Sequence, residues 1–163
     1  MSDLTILTLE DEPEVRDALR RDLEPFAGFF RLEFAEDAEE AREVIAESER
    51  GGAPVALILC DHLLPGMHGT DLLVHLEGDP GTARIRKVLV TGQAGHEDTI
   101  RAINEGGLDH YVAKPWDPDG LREVVRRLLT DYVLDTGADP LAYVAVLDGP
   151  RLLDAAADRG WDR

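Results

Sequence analysis

Several apolar runs of this chain end in groups able to do chemistry. LTLED puts Glu10 and Asp11 at the end of one run, and VALILCD puts Asp61 at the end of another. KVLVTG and YVAKP close on Thr91 and Lys114. A core strand needs no acid at its tip. Carboxylates brought together repel, and they tend to take up protons unless a cation neutralises them. Hard oxygen ligands that leave room for water suit Mg²⁺, which often holds a substrate phosphate as well. A lysine adds a mobile positive charge without a fixed fork. A threonine hydroxyl offers one hydrogen bond to an oxyanion. Such a set suits phosphoryl transfer, where catalysis is mostly positioning and charge neutralisation. An aspartate can act there as the nucleophile and hold the group as an aspartyl phosphate.

The elements that must position these residues alternate along the chain. LTILTL (4–9), FFRLEFA (29–35), VALILC (55–60), KVLVTG (87–92) and LDHYVA (108–113) read as strands. Between them lie stretches of 3.6-residue period. One opens at Pro13 with Val15, Ala18, Leu19 and Leu23 on one face, and an acidic one covers 36–49. A third is expected from Thr70, as N-cap, to about His75; a fourth runs from His96 to Glu105 and stops at Gly106-Gly107. A long one starts at Asp117-Pro118. Strand alternating with helix implies a parallel sheet covered on both faces. In such sheets ligands bind beyond the carboxyl ends of the strands, which is where Glu10, Asp11, Asp61, Thr91 and Lys114 fall.

LTLEDEPEVRDAL, CDHLLPGMHGTDLL, LVTGQAG and YVAKPW, in this order and spacing, resemble the receiver domain of bacterial two-component response regulators, over about residues 3–133. The resemblance implies an α/β, flavodoxin-like (βα)5 three-layer sandwich with parallel sheet order 2-1-3-4-5. It implies that Asp61 is the phosphoryl acceptor and also a metal ligand, that Glu10 and Asp11 position Mg²⁺, and that the backbone carbonyl of Leu63 completes the protein's ligands. Thr91 and Lys114 would contact phosphoryl oxygens, Thr91 and Tyr111 would form a switch pair, and the Lys114-Pro115 bond would be cis. The donor would be a histidine kinase or a phosphotransfer protein. Departures from the commonest family pattern are Glu10 in place of Asp, Gly92 after the threonine, and Trp116 after the proline. The indole of Trp116 is expected at the surface of the last long helix, where partners dock.

Composition narrows the alternatives. The 163 residues carry a net charge of −17, which argues against nucleic acid and anionic membranes as partners. No apolar run nears the roughly 20 residues of a membrane helix. A single cysteine, Cys60, and no signal-like N-terminus fit a cytoplasmic protein. The five histidines, His62, His68, His75, His96 and His110, lack metal-ligand spacing and are expected at the surface. No glycine-rich phosphate loop follows a strand, which disfavours a nucleotide-binding domain. A hydrolase or phosphotransferase of the aspartyl-phosphate type usually carries a second acid two residues after its nucleophile; here that position is Leu63. A signalling module rather than an enzyme is therefore expected, and a scaffold that is never phosphorylated is disfavoured by the full set of site residues.

The receiver pattern is assigned to residues 1–135, and 136–163 form a short C-terminal extension read as helical, with Leu152, Leu153, Ala156 and Ala157 as a stripe. LAYVAVL (141–147) is too apolar to lie free in water, so it covers either its own domain or a second subunit. A homodimer built from the last long helix and this tail is expected, with a strand reading of YVAVL as the alternative. No DNA-binding output domain is expected within these residues.

Overall fold

A strand apolar on both faces must sit where both faces are covered. In the computed structural model, which describes residues 3–92 and 95–160, this is the situation of β1 (Leu4–Leu9) and β3 (Val55–Cys60), buried at every position. They occupy the middle of a five-stranded parallel sheet of order β2-β1-β3-β4-β5, with β2 (Phe30–Ala35), β4 (Arg86–Val90) and β5 (His110–Val112). The helices are α1 (Pro13–Asp22), α2 (Ala38–Arg50), α3 (Gly69–Glu77), α4 (His96–Asn104), α5 (Pro118–Thr136) and α6 (Gly149–Gly160).

Alternate strand residues feed two cores, as a two-residue period requires. Leu4, Ile6, Leu57 and Leu59 meet Leu19 of α1 and Leu121, Val125 and Leu129 of α5. Leu7, Leu9, Ile58 and Cys60 meet Ala38 and Ala41 of α2 and Leu72, Leu73 and Leu76 of α3. Each fully buried Leu contributes about 1.5–3 kcal/mol, so a one-residue slip of a central strand would swap both layers and is strongly opposed. Caps set the helix ends. Asp37 accepts from Glu40 N at 2.8 Å to start α2, and Asp117 accepts from Gly120 N at 3.0 Å to start α5. Gly137, with φ of 74°, ends α5 in the left-handed region that favours glycine.

Three local expectations change. α3 begins at Gly69 with His68 as its N-cap residue, not at Thr70, and runs on to Glu77. The reason is the loop before it: Gly69 N donates to His62 O at 2.8 Å, so the helix is seeded one residue earlier. The last strand is three residues rather than six, because Leu108 N turns back to Ala102 O at the end of α4. Lys87, read simply as the first residue of a strand, is 1% exposed and donates to the carbonyls of Ile85 and Ala83 at 2.8 and 3.1 Å. Burial lowers its pKa, with the nearby Glu77 carboxylate opposing the shift.

The apolar tail covers its own domain. Pro140–Tyr143 forms a 3-10 turn, not a strand, and Tyr143 stacks on Phe30 with ring centres 5.2 Å apart. Tyr143, Leu147 and Leu152 are buried in the core shared with α5. Arg126 Nε donates to Val146 O, and Asp148 N donates to Thr130 Oγ1, tying the segment down along α5. Tyr143, Leu147 and Leu152 find their cover within one chain, while Leu141 and Leu153 of the same tail remain exposed.

Candidate functional site

Sheet register decides which residues meet. Leu9 pairs with Cys60, so the chain leaves β1 and β3 side by side at Glu10 and Asp61. Asp61 N donates to Leu9 O and Glu10 N to Ala35 O, each at 3.0 Å, which extends the ladder one residue past the strands. Cys60 pairs with Leu89 and Val90 with Val112, bringing the exits of β4 and β5, with Thr91 and Lys114, to the same edge. Thr91 N donates to Val112 O at 3.0 Å. The clustering thus follows from parallel strands that end in register.

Carboxylate oxygens of Glu10, Asp11 and Asp61 all lie within 4.8 Å of one another. Glu10 and Asp61 are buried, at 1% and 4% exposure, and Asp11 is half-exposed at the mouth. Lys114 Nζ donates to Glu10 Oε1 at 2.7 Å and to Asp61 Oδ2 at 3.2 Å. Glu12 N donates to Glu10 Oε2 at 3.2 Å, and Leu63 N to Asp61 Oδ1 at 3.4 Å. Burial pushes the Glu10 carboxyl above its ordinary pKa, with the Asp61 charge adding and the bonds from Lys114 and Glu12 opposing. Burial alone would lower Lys114, but its bond to Glu10 and the charges of Asp61 and Glu10 outweigh that and leave its pKa raised. The lysine is therefore held as a cation between two acids. Three oxygen donors of this hardness, open to solvent on one side, fit a small divalent cation that keeps some of its water.

The site opens into a cleft of about 480 Å³ whose lining includes Glu14, Val15, Leu63, Gly92, Lys114 and Trp116. A cavity of about 610 Å³ elsewhere, between Arg42, His75 and Tyr132, shares none of the predicted site residues. Thr91 is fully buried, and its carbonyl accepts from the Tyr111 hydroxyl at 2.9 Å. The Lys114-Pro115 bond is cis. Trp116, expected at the surface of α5, is partly buried, and its Nε1 donates to the buried Asp22 at 2.8 Å, joining the end of α1 to the loop before α5.

Two residues of the site region escaped the sequence. Gly69 is one: a Cβ there would meet Asp61 O at 1.9 Å. His62 is the other: it is 2% exposed rather than at the surface. Its Nδ1 lies 3.0 Å from Thr70 Oγ1 and its Nε2 3.2 Å from Asp98 Oδ2. A glycine in a loop and a histidine after an aspartate carry no spacing signal, so only the folded loop reveals either. Cys60 is buried against Asp61 O, and burial raises its thiol pKa well above ordinary, which leaves it an inert core residue.

The arrangement has relatives. Residues 6–126 match the family model of the response regulator receiver domain. The hydrogenase transcriptional regulatory protein HoxA of Cupriavidus necator is 36% identical over 123 residues, covering 76% of this chain and 23% of that protein. The phosphate regulon transcriptional regulatory protein PhoB of Pseudomonas aeruginosa is 31% identical, covering 89% of this chain and 64% of its own length. The chain thus spans about a quarter of the first relative and under two thirds of the second. Among solved structures, the signal receiver domain of an HD domain-containing protein from Pseudomonas fluorescens superposes with a TM-score of 0.74 at 26% identity, over 85% of this chain and 95% of that one. A CheY-like receiver domain protein from Methanospirillum hungatei does so with a TM-score of 0.67 at 32% identity, over 80% and 97%. With the strand order, the acidic cluster and the family match covering the same residues, this chain belongs to the response regulator receiver domain family.

Proposed function

We propose that the chain is a phosphoreceiver that takes a phosphoryl group on Asp61 and converts it into a change of protein-binding surface. The observation that carries this is the meeting of Glu10, Asp11 and Asp61 oxygens within 4.8 Å, with Lys114 3.2 Å from Asp61. A carboxylate oxygen of Asp61 attacks phosphorus, the P–N bond of a donor phosphohistidine breaks, and the leaving imidazole keeps the electron pair. Asp11, Asp61 and the Leu63 carbonyl would hold Mg²⁺, with Glu10 acting through water. When bound, the ion supplies charge neutralisation for the transferring group. Lys114 would exchange its present acid partners for a phosphoryl oxygen, and the Thr91 hydroxyl would bond another.

The donor is a histidine kinase or phosphotransfer protein, acting in the cytoplasm. The added charge biases the Thr91–Tyr111 pair, whose link across β4 and β5 runs through the Thr91 carbonyl. Residues 1–135 would form this module, with 136–163 as its structural extension. Intact-mass spectrometry after incubation with Mg²⁺ and a small acyl phosphate tests the assignment. One added phosphoryl group is expected, absent without Mg²⁺ and absent in Asp61→Asn. Uptake by the substituted protein would overturn Asp61 as the acceptor.

A further inference from the structure

The cavity of about 610 Å³ lies at the amino end of β3, at Pro54 and Val55, a whole strand away from Asp61. Its size falls within the roughly 300–1,000 Å³ usual for small-molecule sites. α2 and α3 wall it, the 79–85 loop forms its lip, and the end of α5 closes one side. Ile45, Val55, Leu76 and Ile85 give it an apolar floor, the last three of them buried. The lip is tied down. Thr82 Oγ1 donates to Leu76 O at 2.8 Å. The buried Lys87 ammonium donates to the carbonyls on either side of Arg84, those of Ala83 and Ile85, at 3.1 and 2.8 Å. A pocket fixed in advance loses less freedom when a ligand binds.

Polar groups of the lining lack partners. Tyr132 is 8% exposed, and its hydroxyl bonds to no described residue. A buried hydroxyl left unpaired costs on the order of 1–3 kcal/mol, which a ligand bringing an acceptor recovers. Burial raises the phenol pKa, with the Glu49 charge adding and Arg84 and Arg86 opposing, so the group is a neutral donor. Arg84 has no ion pair or side-chain hydrogen bond among the described residues, and Arg42 reaches only Met67 Sδ, at 3.8 Å. The chain has 34 acidic to 17 basic residues, and most of its described arginines have found a carboxylate. Two at this cavity have not. Asp79 is engaged by its own loop, where Oδ1 accepts from Gly81 N at 2.9 Å. Glu49, also in the lining, limits the negative charge the site accepts, and two arginines against it suit a monoanion.

We propose that this cavity binds a small organic monoanion with an apolar body. The body lies on the Val55, Leu76 and Ile85 floor, the acid group meets Arg42 and Arg84, and an acceptor atom takes the Tyr132 proton. Aromatic sulfonates and carboxylates have this build. The site shares no residue with the acidic cluster and does not rest on the phosphoreceiver reading.

Two fluorescent probes that differ in the acid group test this on the full chain: anilinonaphthalene sulfonate and the uncharged phenylnaphthylamine. The sulfonate is expected to bind one per chain, about tenfold tighter than the uncharged probe. Amide NMR shifts should fall on residues 42–49, 54–55, 75–85 and 132–136. Arg42 and Arg84 are exposed, so their substitution leaves the core intact, and an unchanged melting temperature checks this. Arg42→Ala and Arg84→Ala should each weaken the sulfonate about fivefold. Arg50→Ala, on the same helix outside the cavity, should stay within about twofold. Ala46→Phe fills the mouth from an exposed helix position and should abolish binding with no charge changed. Tyr132→Phe keeps the packed ring and should weaken binding about threefold. Equal affinity for the two probes, or no loss in either arginine variant, overturns the anion. Absence of binding, shifts centred on the exposed Leu141 and Leu153, or binding retained in Ala46→Phe overturns the cavity as the site. Native affinity in Tyr132→Phe overturns the phenol contact. Shifts of the lining amides on diluting the chain alone would place a second copy there and overturn a small-molecule occupant.

Discussion

The ammonium of Lys114 lies 2.7 Å from Glu10 Oε1, a contact that joins residues 104 apart in sequence. It is shorter than the 3.2 Å contact of the same ammonium with Asp61. The lysine thus neutralises the acidic cluster that a divalent cation would share. Unit charges 4 Å apart interact by about 1 kcal/mol in water and about 4 kcal/mol at a partly shielded site. Lys114→Ala is therefore expected to tighten Mg²⁺ binding by about five- to tenfold, measured by titration calorimetry. Unchanged or weaker binding would show that the ammonium and the cation do not compete.

Gly69 has no room for a side chain. A Cβ would sit 1.9 Å from Asp61 O and 2.8 Å from Cys60 Sγ, and the first of these is backbone that cannot swing away. Gly69→Ala should lower stability by about 2–4 kcal/mol in urea titration. It should also slow phosphoryl uptake, because the displaced atom belongs to Asp61, the proposed acceptor. A stable variant with native uptake would mean that the loop relaxes at little cost.

Leu152 of α6 is fully buried, in the core that also holds Tyr143 and Leu147. Leu152→Ala should cost about 2–4 kcal/mol, the loss expected when a tail is integral to the core. A change under about 0.5 kcal/mol, typical of surface sites, would mean that the extension is not part of the cooperative fold. Light scattering of the native chain at micromolar concentration tests the expected homodimer, for which Leu141 and Leu153 of the tail remain exposed.

Arg101 donates to the Asp71 carboxyl and holds its pKa below the ordinary 3.8. A carboxyl depressed in the folded state adds stability above the ordinary value and loses it as pH falls through the depressed one. Both side chains are about 40% exposed, so solvent screening keeps the effect on stability small. The direct measure is a carboxyl NMR titration. The Asp71 signal should titrate below the ordinary range and return to it in Arg101→Ala. A native signal already at the ordinary position would rule out this tie between α3 and α4.

The strands and helices were readable from hydrophobic period, while the sheet order came from the family resemblance. β1 and β3 fall where LTILTL and VALILC place them, because strands covered on both faces are apolar throughout and bounded sharply by polar residues. α3 and β5 were misplaced at their ends for the opposite reason. There the boundary is set by single backbone bonds, Gly69 N to His62 O and Leu108 N to Ala102 O, which leave no mark on composition. The tail was legible as apolar but not as intramolecular, since the Phe30 ring that Tyr143 stacks on lies more than a hundred residues earlier.

By itself the sequence determined which groups could gather. Acids, a hydroxyl and an amine at the ends of parallel strands must emerge on one edge of the sheet, because parallel strands share a direction. Tertiary structure alone decided how they are used at rest: Lys114 bound to Glu10 before Asp61, Trp116 bound to Asp22, and His62 turned inward to Asp98. Each of these is a contact between side chains distant in sequence. Its existence depends on distances of a few tenths of an ångström, which only the packed fold specifies.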